Sequence, residues 1–228
     1  MFSLSTVVPW GRSFDEYQRM FALTREDLGR RILGCGDGPA SFNAEATEHG
    51  SRVVSCDPIY AFDTASLRRR IDETTPVVLE QTRANAHEFV WTSIHSVEEL
   101  ATVRHDAMQR FLADYDAGTA AGRYVQASLP VLPFADDAFE LALSSHFLFL
   151  YSVQFDLEFH RAALREMCRV ATEVRVFPLL ALGGEPSPYV DALAAEFGAL
   201  GYQVSLERVP YEFQRGGNRM LRLTRGVR

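Results

Sequence analysis

Gly34, Gly36 and Gly38 alternate with Cys35 and Asp37 in "RILGCGDGPASF", residues 31–42, directly after a short apolar run. Glycines so placed permit a tight turn and let a ligand rest against bare backbone. The backbone N–H groups of such a turn favour a carboxylate or a phosphate. The bland reading is a strand-to-helix turn and nothing more. Asp57 ends the next apolar run, 19 residues beyond Gly38. A carboxylate there can accept both hydroxyl hydrogens of a ribose, although it can equally cap a helix. His146 follows the apolar run 139–144, and its imidazole titrates near neutral pH. The other five histidines (His49, His87, His95, His105, His160) have no metal-ligand spacing. Cys35, Cys56 and Cys168 form no CxxC pair, so the residues imply no metal site.

The elements that must hold these residues alternate. "RIL" (31–33), "RVVSC" (52–56), "RYVQA" (123–127), "FELALS" (139–144) and "EVRVFPL" (173–179) read as buried parallel strands. Ser13 and Glu16 form a capping-box pattern that opens a helix carrying Phe14, Tyr17, Met20 and Phe21. That helix either packs on the core or covers a ligand. Pro39 suits the first turn of a helix after the glycines. Helical spacing recurs over 97–115, and Ser187-Pro188 opens a further helix. "GYQVSLERVPYEF" and "NRMLRLTR", parted by Gln214-Arg215-Gly216-Gly217, read as a closing antiparallel hairpin. Residues 60–122 exceed what one crossover needs and predict a helical insertion of two or three helices. It carries Arg83, Asn85, His87 and Trp91, which are either solvated surface or a substrate lid.

The whole chain narrows the functional classes. Its 228 residues suit one α/β domain, 1–228, with an N-terminal helical cap over 1–27 and the insertion at 60–122. A net charge of −7 argues against nucleic acid or an anionic membrane as partner. No run is long enough to span a bilayer. The first residues lack a signal-peptide pattern, and an odd set of unpaired cysteines implies a cytoplasmic protein. Oligomeric state is not legible.

Nicotinamide dinucleotides and S-adenosylmethionine both suit a glycine turn followed by a ribose-binding acid. A dinucleotide fingerprint needs G-x-G-x-x-G. Counted from Gly34 its last glycine falls on Pro39, and counted from Gly36 on Ser41. The pattern here is G-x-G-x-G instead. "ILGCGDG" (32–38), "VVSCDPIY" (53–60), "ASLPVLPFADDAFELALSSHFLF" (127–149) and the closing hairpin together resemble the class I S-adenosylmethionine-dependent methyltransferases, in their small-molecule, type 11-like group. The resemblance covers about residues 28–60 and 123–225.

That resemblance implies a Rossmann-like seven-stranded α/β sheet with helices on both faces, in the order 3-2-1-4-5-7-6 with strand 7 antiparallel. It implies S-adenosylmethionine as cofactor. Gly34, Gly36 and Gly38 would line its methionine and ribose parts, and Asp57 would bind the ribose. Pro58 and Ile59 would lie beside the adenine, with Ser128 and Leu129 near its amino group. Ser145 and His146 would face the sulfonium; if the N-terminal helix covers the ligand rather than packing on the core, its Phe14 and Tyr17 would lie against the cofactor. Two positions depart from the family pattern. Ile32 stands where an acid is usual, and Ser128 where Asp is frequent; Asp37 brings a negative charge into the loop. The implied activity is in-line methyl transfer to a small molecule, with His146 and then Tyr151 as candidate bases. A cofactor-binding protein without catalysis and a nicotinamide oxidoreductase are the alternatives. "SSHFLF" after the fourth strand lacks the [DNS]-P-P-[YF] tetrapeptide found in amino-methylating nucleic-acid enzymes.

Overall fold

Alternate side chains of the central strands are apolar on both faces, so the sheet must be covered on both. Ile32 joins one buried cluster with Phe42, Leu143 and Phe177, while its neighbour Leu33 joins another with Ala142, Val176 and Leu164. The computed structural model describes residues 8–226. Its strands are β1 (Arg31–Cys35), β2 (Arg52–Cys56), β3 (Tyr124–Val125), β4 (Leu141–Ser145), β5 (Glu173–Phe177), β6 (Tyr202–Arg208) and β7 (Arg219–Arg225). They form one sheet in the order β3-β2-β1-β4-β5-β7-β6. Strands β1 to β5 pair in parallel, and β7 runs antiparallel to both β5 and β6.

Helices α1 (Phe14–Met20) and α3 (Phe42–Glu48) contribute Tyr17, Met20, Phe42 and Ala46 to the cluster on one face. Helices α6 (Leu157–Val170) and α7 (Val190–Ala199) supply Leu164, Met167, Leu193 and Phe197 to the other. A four-residue helix α2 (Arg25–Leu28) leads into β1. Between β2 and β3 run α4 (Thr64–Ala84) and α5 (Val97–Ala120). Their Leu67, Ile71, Phe111 and Tyr115 enclose Tyr60 and Tyr124 in a third cluster.

Some local expectations need correction. The helix after the glycines begins at Phe42, so Pro39 lies in the preceding turn rather than in its first turn. Strand β3 is two residues long. Helix α6, capped by Asp156 through the Phe159 N–H, was not read from the sequence. Register is what matters for function. Gly34 lies opposite Ser55 on β2 and Leu143 on β4, and Cys35 lies opposite Cys56. The residues that follow β1, β2 and β4 therefore leave the sheet at one edge.

Candidate functional site

At that edge lies a cavity of about 480 Å³, within the ~300–1,000 Å³ usual for small-ligand sites. One wall is the glycine turn. Gly36 and Gly38 take φ values of 70° and 55°, in the left-handed region where a side chain is strained. A Cβ on Gly36 would stand 3.0 Å from the Phe147 ring, whereas one on Gly38 would project into open space. Two of the turn's donors are already used. The Gly36 N–H donates to the Cys56 carbonyl, and the Gly38 N–H donates to Asp57 Oδ2 at 2.9 Å. This corrects the expectation of free N–H groups at these two glycines.

Asp57 also accepts from the Ile59 N–H through Oδ1 at 2.9 Å, capping a short 3-10 turn. Its carboxylate is thus fixed at the cavity wall with further lone pairs to spare. Burial pushes its pKa up to about 6 against those two N–H bonds. Asp37 is buried beside it, accepting from Tyr17 Oη at 2.8 Å and Ser55 Oγ at 2.6 Å. Burial and the nearby Asp57 charge raise it to about 6 as well.

At the end of β4, Ser145 and the following His146 face the same cavity. His146 sits at φ 53°, unusual for a side-chain-bearing residue, anchored by its N–H on the Phe177 carbonyl. Its Nδ1 lies 2.9 Å from Ser145 Oγ. Burial, then the charges of Arg12 and Arg104, hold the imidazole well below its ordinary pKa, so it is neutral at pH 7. Tyr151 lines the cavity, its hydroxyl accepting from the Val8 N–H, and burial raises its phenol pKa. Pro58, Ile59, Ser128, Leu129 and Tyr17 line it too.

Four expected residues stand elsewhere. Gly34 is outside the lining; a Cβ there would fall 1.7 Å from Asp37 Oδ2, so its bare Cα makes room for that carboxylate. Phe14 begins α1, stacks on Phe42 and meets His49 at a tilt, with centroids 5.9 and 5.3 Å away, on the α3 side of the helix. Trp91 donates Nε1–H to the Ala86 carbonyl and buttresses Phe89 and Phe213, which line the cavity in its place. Arg83 is spent on a surface pair with Glu98.

Sequence reading missed the other wall. Arg12 and Arg104 line the cavity. Arg104 is buried and binds the Glu16 carboxylate with both terminal nitrogens, while Tyr211 donates to Glu16 Oε1 at 2.7 Å. Burial alone would raise Glu16, but the Arg104 charge and hydrogen bond bring it down to about 2. The Ser13–Glu16 capping box was visible; its partner lies 88 residues away and was not. Among the described residues no group of three or more His, Cys, Asp or Glu could hold a metal, and no helix is long and apolar enough to cross a membrane.

This order of strands, with an antiparallel β7 between β5 and β6, is the Rossmann-like sheet that the sequence resemblance implied. No family model matches the sequence. The uncharacterised protein MJ0045 of Methanocaldococcus jannaschii is 32% identical over 224 residues, which is 98% of each chain. The chain belongs to the MJ0045 family. Among solved structures, this MJ0045-family chain is similar to the magnesium protoporphyrin IX methyltransferase of Synechocystis PCC 6803 with bound S-adenosylmethionine, at 10% identity and a TM-score of 0.48 over 93% of this chain and 91% of that one. It is also similar to the 1,6-didemethyltoxoflavin-N1-methyltransferase of Burkholderia thailandensis, at 15% identity and a TM-score of 0.47 over 93% and 80%.

Proposed function

We propose that the chain is an S-adenosylmethionine-dependent methyltransferase acting in line on a small-molecule acceptor. One observation carries this reading. The glycine turn spends its Gly36 and Gly38 donors internally and sets two carboxylates, Asp37 and Asp57, at the cavity wall. A pyrophosphate would meet two like charges there, which disfavours a nicotinamide dinucleotide. A ribosylated ligand carrying ammonium and sulfonium cations is attracted instead.

In this reading Asp57 accepts from the ribose hydroxyls, and Pro58, Ile59, Ser128 and Leu129 enclose the adenine. Asp37, fixed by Tyr17 and Ser55, balances positive charge above Gly36 and Gly38. The bound cofactor supplies an electrophilic methyl on a sulfonium that leaves as a neutral thioether. The chain itself contributes positioning, which can supply about 7–11 kcal/mol of a barrier. Ser145 Oγ lies 2.9 Å from His146 Nδ1 and 3.9 Å from Met20 Sδ, and in one of the two imidazole tautomers its oxygen accepts from His146 Nδ1–H while its hydroxyl turns towards the sulfur. That tautomer leaves Nε2 with a lone pair to take the acceptor's proton. Phe89, Leu100, Leu182 and Phe213 suit an acceptor with an apolar body. The net charge of −7 disfavours nucleic acid, and three free buried cysteines suit the cytoplasm.

The test is label transfer. Purified protein is incubated with methyl-labelled cofactor and a deproteinised extract of the source cells. Label should enter a small organic molecule, and His146→Ala should slow transfer about 10²–10⁴-fold. Label remaining on the cofactor throughout would mean binding without catalysis.

A further inference from the structure

Arg12 lies on the extended segment just before α1 and lines the cavity. Its Nη1 donates to the Trp10 carbonyl at 2.7 Å, its Nε is buried without a partner, and no carboxylate of the described residues pairs with it. Burial and the Arg104 charge lower its pKa to about 10, which leaves it cationic at neutral pH. The carboxylates around it have other work. Glu16 is committed to Arg104 and Tyr211, and Asp37 to Tyr17 and Ser55. A half-buried cation with a buried, unpartnered Nε and no ion pair among the described residues is costly in a folded chain. Here it faces a ligand cavity rather than a core.

We propose that Arg12 is the seat of a carboxylate that a ligand carries into this cavity. A planar guanidinium grips a carboxylate with two parallel N–H bonds, and such charge-assisted bonds are among the strongest available. The glycine turn competes poorly for that anion. Its Gly36 and Gly38 N–H groups are consumed, and Asp37 would repel it. Two molecules could bring the carboxylate: the methionine end of the cofactor proposed above, on which this arm of the inference rests, or the acceptor. In either case the anion fills the coordination that Arg12 lacks.

Calorimetry on the full chain and on Arg12→Gln separates the sources, with Arg12→Lys as a second variant that keeps the charge and loses the fork. Thermal melting checks that each variant is folded. If the cofactor is the source, the wild type binds S-adenosylmethionine at least tenfold more tightly than decarboxylated S-adenosylmethionine. Arg12→Gln then loses at least tenfold for the former only, and Arg12→Lys falls between. If the acceptor is the source, Arg12→Gln leaves S-adenosylmethionine unchanged but abolishes binding of phenylacetate, an apolar carboxylate, while neutral phenylacetamide is indifferent to the change. Folded Arg12→Gln that matches the wild type for all four probes overturns the seat. If the wild type binds neither S-adenosyl ligand, the cofactor reading fails separately, and the phenylacetate comparison alone decides Arg12.

Discussion

Two carboxyl groups held near pKa 6 by burial make ligand binding at this edge sensitive to pH. Asp37 and Asp57 sit above the ordinary value of about 3.9, so the folded chain binds their protons more tightly than the unfolded chain does. Their protonation therefore stabilises the unliganded protein, a contribution fully present below about pH 4 and lost as pH rises from there through about 6. A cationic cofactor needs the opposite state. Its affinity should fall as pH drops from 7.5 to 5, and the rise in Tm that it causes should shrink over the same interval. A Tm increment that is flat with pH would contradict this assignment. Asp57→Ala should lower cofactor affinity at least tenfold, since each charge-assisted hydrogen bond is worth about 1.5–3 kcal/mol. Unchanged affinity in a folded variant would place the site elsewhere. Gly34→Ala acts one step removed. Its Cβ would collide with the Asp37 carboxylate, so cofactor affinity should again fall at least tenfold, with less effect if Asp37 is replaced by Ala in the same chain.

At the scale of elements, the buried Glu16–Arg104 pair fastens α1 to α5, and Tyr211 adds the connection between β6 and β7. Three segments distant in sequence thus meet at Arg104, which lines the cavity. Removing one member leaves an uncompensated buried charge, so Glu16→Ala should cost about 3–5 kcal/mol in chemical denaturation. A loss below about 1 kcal/mol would mean that the pair is solvated. Much of the framework was legible. Strands β1, β2 and β4 are short apolar runs ending in the glycine turn, Asp57 and Ser145–His146, and the Gly216-Gly217 turn marked the hairpin. Strand β3 was over-read because "RYVQA" has strand character beyond the two residues that pair. Helix α6 was missed although its apolar face is well formed, its cap Asp156 standing after an aromatic run that blurs the start.

At the scale of the molecule, the sheet brings the ends of β1, β2 and β4 together, while the N-terminal segment, the paired helices α4 and α5 and the β6–β7 connection wall the remaining sides. The sequence placed the sheet-borne half of this site because its residues follow strands at short, regular offsets. It misplaced Phe14 and Trp91 and overlooked Arg12, Arg104 and Phe213, because their positions depend on tertiary packing between segments far apart in the chain. The division of charge that results, two carboxylates on the glycine-turn wall and an unpaired guanidinium among the residues facing them, underlies the account of the ligand. Calorimetry of the purified chain at pH 7.5 with S-adenosylhomocysteine and oxidised nicotinamide dinucleotide in parallel tests it most directly. The account predicts saturable binding of S-adenosylhomocysteine, lost or weakened at least tenfold in Asp57→Ala, and no binding of the dinucleotide. Binding of the dinucleotide, or none of S-adenosylhomocysteine, would contradict it.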